Sequence, residues 1–259
     1  MELYNIINDH FYTFILLTVR FSGLYLGSPI FGGRSIPNQV KIGLALISSL
    51  IITPLHSAGI TIEGIDLSII YLGIKELLVG LVIGYIAMLT FTAIQFAGQF
   101  IDVQMGFGIV NVVDPQFGNP IPIIGNFKYI IAILLFLTVN GHHLLIDALF
   151  KSVELVPIGT ITFGDNVIIY IFGLFVRLFL ISLQVGLPII GTLFIVDVGL
   201  GIVARTVPQM NVFVVGIPLK ILVGFAIIIM IFPLYIRMLL SLFEGLHTNI
   251  YKFIQILGG

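Results

Sequence analysis

The sequence predicts an all-α protein embedded in a membrane, and three observations support this fold class. Of the 259 residues, 59% are hydrophobic and only 9% are charged, whereas a soluble domain has roughly 25% charged residues. The mean hydropathy is +1.20. The apolar residues are also grouped in long segments, and about 20 in a row suffice for a helix to cross a bilayer. A soluble enzyme and a disordered chain are therefore excluded.

Six apolar segments are expected to form helices, several of them kinked or broken, within one membrane-embedded domain of residues 1–259. The second segment is short for a straight crossing, while the third, fifth and sixth are long enough to tilt or bend. Pro188 lies in the fifth segment, and Pro218 and Pro233 lie in the sixth. Because a proline inside a helix removes a hydrogen bond, we expect kinks or breaks there. The segments are 11–28, 40–55, 67–96, 127–150, 167–196 and 212–243.

The fourth segment contains the sequence NGHH at 140–143, for which we expect a helix irregularity at Gly141. His143 and Asp147 are four residues apart, so they share a helix face, but no third metal ligand and no cysteine accompanies them. A triad of these two with Ser152 lacks the nucleophile-elbow context. We therefore expect no metal site, no cofactor and no enzymatic activity.

The longest connector, residues 97–126, is too apolar for a free loop and too interrupted for a span. Long loops inside compact proteins usually carry a function. Flexible glycines here stand beside bulky apolar side chains, a combination that can form a deformable constriction and gate a pore by excluding water. Buried re-entrant packing is the alternative. The stretch is Met105, Gly106, Phe107, Gly108, Ile109 and Val110.

Charged residues within or beside the apolar segments are a second set of candidates, because a charge at membrane depth is costly and marks a functional site by default. The adjacent Lys75 and Glu76 point to different sides of a helix, so they cannot pair with each other. We expect interhelical or intersubunit polar contacts, with a proton or ion path as the alternative. The set comprises Arg20, Lys75, Glu76, Asp102, Arg205 and Lys220, with Asp147 and Arg177 as further candidates.

Small residues form a stripe on the third segment. Gly80 and Gly84 make a GxxxG motif, and Gly73 and Ala87 fall on the same helix face. Such a stripe lets two helix backbones approach closely. We therefore expect a helix-packing role for all four residues.

The distribution of charge bears on partners and orientation. A net charge of −1 gives no basic field for nucleic acid. The first residues lack a cationic region, so we expect no cleaved signal peptide. The positive-inside rule places the side with more Lys and Arg in the cytoplasm and both termini outside. That side receives Arg34, Lys41, Lys128 and Arg205, and the other receives Lys151 and Lys252.

A series of short motifs, in a fixed order and spacing along nearly the whole chain, resembles the FliR family of flagellar biosynthesis proteins. The injectisome counterpart of that family is the T component of the type III export apparatus. The motifs are VRFSG (19–23), SPIFG (28–32), IP (36–37), KIGLA (41–45), KELLVG (75–80), AGQFID (97–102), QMG (104–106), DP (114–115), FLTVNGH (136–142), VPIG (156–159), ARTVPQMNVF (204–213) and GIPLK (216–220).

The resemblance implies a non-enzymatic pore subunit of the flagellar type III export gate, in the bacterial inner membrane at the flagellar basal body. Its N-terminal part would be FliP-like and its C-terminal part FliQ-like. It would complete a helical assembly with FliP-like and FliQ-like proteins, together with FlhB-like and FlhA-like proteins. Unfolded flagellar subunits would cross the membrane through this assembly.

The family also has a loop that plugs the closed pore, and by position this loop falls between about residues 104 and 122. The resemblance then makes Met105, Phe107, Ile109 and Val110 the gate side chains, and Gly106 and Gly108 the hinges. Asp114 and Pro115 belong to the same plug.

Other functions stay open from the sequence. A secondary transporter of a small solute would fit the buried charges and broken helices, but clear inverted repeats are missing. The equivalent subunit of a virulence injectisome is a second alternative. An intramembrane hydrolase lacks a convincing nucleophile and base.

Overall fold

The computed structural model describes residues 2–33, 36–56, 67–108, 122–161, 164–209 and 211–258, with side chains from residue 9 onward. All regular structure in these residues is helical, which confirms the predicted all-α class. The helices are α1 (Glu2–Gly27), α2 (Asn38–Ile52), α3 (Leu67–Met105), α4 (Ile123–Thr138), α5 (Gly141–Leu155), α6 (Asp165–Thr206) and α7 (Val212–Gly258), and a 3-10 turn (Thr53–Leu55) follows α2.

Four helices in the described residues are long and apolar enough to cross a membrane: α2 with its 3-10 turn, α3, α6 and α7. The pair α4 and α5, which is bent by 67°, makes a fifth crossing if it is counted as one span. α1 covers the first apolar segment as a helix but is not among these candidates. Length and composition of the helices thus support the predicted integral membrane protein.

The predicted breaks at the prolines are absent from the described helices. Pro188 lies inside a continuous α6, and Pro218 and Pro233 lie inside a continuous α7. A long helix retains most of its backbone hydrogen bonds when a proline removes one of them, so the helix persists on both sides.

The helix is interrupted instead between α4 and α5, at the irregularity predicted for Gly141. Asn140 has a left-handed backbone with φ of 57°, a conformation that asparagine tolerates better than most residues. Gly141 begins α5 directly beside the ring of Phe136, and a Cβ at Gly141 would collide with that ring. Glycine at this position therefore permits the sharp bend.

The predicted non-helical connector of residues 97–126 is shorter in the structure. α3 continues to Met105, and α4 begins at Ile123. Gly98 and Asp102 are typical of loops, but both are used here in contacts between α3 and α4. In the same way, α6 continues to Thr206, beyond the expected end at residue 196.

The chain forms two compact units that are interleaved in sequence. Unit 1 comprises residues 1–90, 136–175 and 243–259, and unit 2 comprises residues 91–135 and 176–242. Unit 1 contains α1, α2 and α5, and unit 2 contains nearly all of α4. α3, α6 and α7 each contribute residues to both units.

In unit 1, α1 and α3 pack through two glycine pairs of equal spacing. Gly80 and Gly84 on α3 lie against the α1 backbone around Gly23 and Gly27. A methyl group at Gly84 would stand 2.8 Å from the carbonyl carbon of Gly27, and one at Gly80 would overlap the carbonyl of Arg20. Side chains larger than hydrogen are therefore excluded from this contact.

The other two residues predicted for this stripe have different environments. Ala87 is fully buried. A Cβ at Gly73 would have no neighbouring atom within 4 Å. The close approach is therefore centred on the GxxxG motif and does not extend to Gly73.

We predict that Gly80→Ala lowers the stability of the purified protein by about 1–3 kcal/mol, because the added methyl group has no space against α1. The matched control is Gly73→Ala on the same helix, which should be neutral or slightly stabilising because alanine favours a helix over glycine by about 1 kcal/mol. Apparent melting temperatures in detergent measure both effects. Equal melting temperatures for the two variants would contradict the α1–α3 contact.

Candidate functional site

The loop between α3 and α4 is the segment that the sequence marks as a gate, and the structure describes both of its ends. α3 ends at Met105, residues 106–108 follow it, and Pro122 precedes α4. Four of the predicted plug residues, Ile109, Val110, Asp114 and Pro115, lie outside the described residues.

Gly106 terminates α3 with a backbone conformation that favours glycine. Its φ is +93°, which is the left-handed conformation common after the last residue of a helix. Its N–H donates to the carbonyl of Val103 at 3.1 Å, and the N–H of Phe107 donates to the carbonyl of Asp102 at 3.0 Å. These bonds satisfy carbonyl groups at the end of the helix.

Asp102 also holds the other end of the loop. Its carboxylate accepts the N–H of Ile124 at 2.9 Å and the N–H of Gly125 at 3.1 Å. These donors are in the first turn of α4, where backbone N–H groups lack helical partners and a negative charge is favourable. We expected an interhelical or intersubunit polar contact for Asp102, and in the structure it joins α3 to α4. One residue thus binds both ends of the loop.

Glycines allow α3 and α4 to approach closely enough for this arrangement. A Cβ at Gly98 would overlap the backbone of Gly125, and one at Gly125 would stand 3.1 Å from the carbonyl oxygen of Gln95. The Asp102 carboxylate can therefore reach the first turn of α4 directly.

Met105 and Phe107 both pack against α7 within unit 2. Met105 is fully buried in a cluster with Ile101, Ile124, Ile189, Leu193 and Ile228. A Cβ at Gly224 would stand 2.6 Å from the terminal methyl carbon of Met105, so the glycine provides the space for that side chain. The ring of Phe107 packs edge-on against Phe225, with centroids 6.5 Å apart. The structure therefore places Met105 in the core and Phe107 at its margin.

A polar cluster connects the end of α3 to both α6 and α7. The carboxylate of Asp197 on α6 accepts the side-chain amide of Gln104 at 2.8 Å. Lys220 on α7 forms an ion pair with the same carboxylate at 2.8 Å. The sequence indicated Lys220 but not Asp197, which lies one residue beyond the predicted end of the fifth segment at residue 196. A carboxylate within an apolar helix is the signal that identifies it.

In unit 1, the fully buried Arg20 joins α1 to α3 and to the end of α5. Its Nε donates to the carboxylate of Glu76 on α3. One terminal nitrogen donates to the carbonyls of Ser152 at 2.9 Å and Val156 at 3.1 Å, and the other donates to Val156 at 3.1 Å. The guanidinium thus satisfies carbonyls at the end of α5, where a positive charge is favourable.

Glu76 extends this network beyond α5. Its second carboxylate oxygen accepts the N–H of Gly159 at 3.1 Å, and Gly159 has a left-handed φ of 84°. The neighbouring Lys75 points elsewhere, as expected. It donates to the carbonyl of Ile161 at 3.0 Å and lies 4.6 Å from the ring centroid of Tyr71.

The remaining candidates are on the surface of the chain. Asp147 is half exposed and pairs with Lys151 and with the hydroxyl of Tyr251, which donates to it at 2.7 Å. Arg177 and Arg205 are exposed on α6. Within the described residues, no group of three His, Cys, Asp or Glu side chains is arranged to hold a metal ion.

Comparisons with known proteins give one consistent result. The family model described as "Bacterial export proteins, family 1" matches residues 11–246. The chain is 44% identical over 228 residues to the flagellar biosynthetic protein FliR of Bacillus subtilis (strain 168), a match that covers 87% of this chain and 88% of the relative. It is 32% identical to FliR of Escherichia coli (strain K12), with 83% and 82% covered. FliR of Aquifex aeolicus (strain VF5) is 27% identical, with 94% of each chain covered.

We predict that Glu76→Gln destabilises the protein strongly, because it leaves the Arg20 guanidinium buried without a counter-charge. Removing one partner of a buried ion pair costs about 3–5 kcal/mol. The control is Asp147→Asn, which removes an exposed ion pair worth about 1 kcal/mol or less. The monodisperse fraction after detergent extraction and the apparent melting temperature measure both variants. A Glu76→Gln protein as stable as the control would show that the buried pair is not needed for the fold.

Proposed function

The chain belongs to the FliR family of bacterial export proteins, and from this membership we propose that it is a core pore subunit of the flagellar type III export gate. In this proposal it completes an assembly with the FliP-like and FliQ-like proteins, here called the sister subunits, in the inner membrane at the flagellar basal body. FlhB-like and FlhA-like proteins complete the apparatus, and unfolded flagellar subunits pass through the pore. The names of the family and of these relatives describe export and flagellar biosynthesis.

The exposed apolar surface of α6 and α7 carries the assembly part of this proposal. Within unit 2, residues 176–206 of α6 and 212–242 of α7 each extend about 46 Å at the rise of an α-helix, whereas the hydrocarbon core of a bilayer is about 30 Å thick. Large apolar side chains are exposed along both lengths, from Val176 to Val203 and from Phe213 to Leu240. Lipid tails can cover only about two thirds of such a surface, so the remainder favours a protein partner.

The small buried fraction of α6 and α7 within this chain also favours a protein partner for these helices. In the most apolar windows of α6 and α7, only 28% and 17% of the residues are buried, against 61% in α3. Contiguous apolar patches of this kind mark interaction surfaces or membrane contacts. A solute carrier that works alone would cover much more of these helices itself.

The base of the α3–α4 loop supports a gating role for the loop. Asp102 binds both ends, so the loop can move as a flap while α3 keeps its last turn and α4 keeps its first turn. Met105 serves as the anchor of the flap, and Gly106 serves as its hinge. Release of Phe107 from Phe225 accompanies opening, with Ile109, Val110, Asp114 and Pro115 further along the same plug.

Movement of α7 reaches the loop through two contacts in unit 2. The Gln104–Asp197–Lys220 cluster fixes the last turn of α3 to α6 and α7. Gly224 fixes the position of Met105 on α7. A displacement of α7 by a neighbouring subunit would therefore move the start of the plug.

Co-expression with the sister subunits from the same genome tests the proposed function. Affinity purification on this chain in mild detergent, followed by native mass spectrometry, should give a discrete hetero-oligomer. Ile195→Asp tests whether the exposed apolar surface of α6 and α7 binds the sister subunits. This variant places a charge at an exposed apolar position and should abolish the hetero-oligomer. A lone chain or a homodimer, with both sister subunits expressed, would overturn the export-gate proposal and favour a solute carrier.

For the gate itself, we predict that Gly106→Val and Phe107→Asp impair substrate export or leak ions while the complex still assembles. Valine cannot adopt the φ of +93° without strain, and aspartate at 107 replaces an aromatic contact by a charge. Gly224→Ala should have the same effect in milder form, because the added methyl group displaces Met105. Secretion of a flagellar substrate and single-channel conductance in planar bilayers measure the two outcomes.

The control for these variants is Gly73→Ala on α3, where a Cβ would meet no atom within 4 Å. It should export and seal like the unmodified protein. Normal export and sealing in Gly106→Val, Phe107→Asp and Gly224→Ala alike would remove the gate assignment and leave the assembly proposal standing.

A further inference from the structure

Lys128 on α4 differs from the other cationic side chains buried in the described part of the chain. Arg20 binds Glu76, and Lys41 donates to the carbonyl of Gly32. Lys128 is only 3% exposed, yet no described residue supplies a carboxylate or a hydrogen-bond acceptor to its ammonium. The Lys128 ammonium thus lacks the kind of partner, a carboxylate or a carbonyl, that stabilises Arg20 and Lys41, and a buried charge without a partner is costly.

Among the described residues, an aromatic ring faces the ammonium. The Nζ of Lys128 lies 4.7 Å from the ring centroid of Tyr235 on α7. The hydroxyl of Tyr235 is already used, because it donates to the backbone carbonyl of Lys128 at 3.0 Å. A cation over the face of an aromatic ring gains less free energy from that contact than the burial of an ion costs. The three N–H donors of the ammonium remain to be satisfied.

A small cavity in unit 2 opens beside Lys128. Its volume is about 20 Å³, enough for a group the size of one water molecule. Apart from Lys128 and the tyrosine, the walls are hydrocarbon from α4, α6 and α7, and include Val185, Pro188 and Ile228. The aromatic side chains of Phe127 and Phe232 stand partly exposed at this pocket. The pocket thus combines one positive charge with apolar walls.

We propose that this pocket binds an anionic phospholipid, with one phosphate oxygen on the Lys128 ammonium and an acyl chain along the apolar walls. Basic pockets between membrane helices are typical sites for anionic headgroups. Lys128 lies near the start of α4, about 8 Å along the helix axis from Ile123, a position suited to a headgroup. The single charge of a phosphatidylglycerol matches the single ammonium. The lipid would complete the contact among α4, α6 and α7.

Lipid titration followed by native mass spectrometry tests this site. The protein is purified together with its sister subunits, or by itself where it is stable alone. Bound lipid is then removed. Dioleoyl phosphatidylglycerol or dioleoyl phosphatidylcholine is then added. We expect one tightly bound phosphatidylglycerol that phosphatidylcholine does not replace. Lys128→Gln should weaken its binding about tenfold or more, the size expected for loss of one charge-assisted hydrogen bond, while Lys128→Arg should retain it.

Two further variants separate this site from general attraction to charge. Lys252→Gln removes an exposed cation and should leave the bound lipid in place. Val185→Trp fills the apolar wall and should displace the lipid while Lys128 remains. Equal binding of both lipids, unchanged binding in Lys128→Gln, or displacement by inorganic phosphate alone would overturn the proposal. So would a cryo-EM map of the complex in which a carboxylate of another subunit occupies the pocket.

Discussion

The buried pair of Arg20 and Glu76 is the constraint on which unit 1 depends. An arginine and a glutamate without solvent contact are stable only when nearly every donor and acceptor is used. The guanidinium meets this requirement with carbonyls at the end of α5, and the glutamate meets it with the N–H of Gly159. This arrangement fixes where α5 ends and how α1 approaches α3. The glycine contact around Gly80 then follows, because the two helices must lie close for the side chains to meet.

In unit 2, buried donors and acceptors at helix ends also need partners. A membrane offers no water to a free backbone group, so each helix terminus within protein needs a local partner. Asp102 supplies that partner for α4, and its own carbonyl accepts the N–H of Phe107 beyond α3. Asp197 instead binds the side chains of Gln104 and Lys220 and so joins α6 to α3 and α7. Arg20, Glu76 and Asp102 thus each bind backbone groups at or beside a helix end.

Hydropathy alone predicted the helical class, and spacing alone predicted the small-residue stripe on α3. The matching pair at Gly23 and Gly27 has the same spacing and was visible in the sequence, but spacing does not say which helices meet. The role of Asp102 was hidden because a cap supplied by a different helix has no local pattern. The helix through Pro188 was also unpredictable, since long apolar neighbours on both sides outweigh the one hydrogen bond that proline removes.

The joining of both loop ends at Asp102 has a consequence for how this segment can change in evolution. A loop whose two ends are held together adds only about 0.6 kcal/mol of closure entropy for each doubling of its length. Insertions and deletions beyond Phe107 therefore leave the end of α3 and the start of α4 undisturbed. The connection between these helices can change in length by altering the loop alone, while the helix ends that carry it are inherited intact.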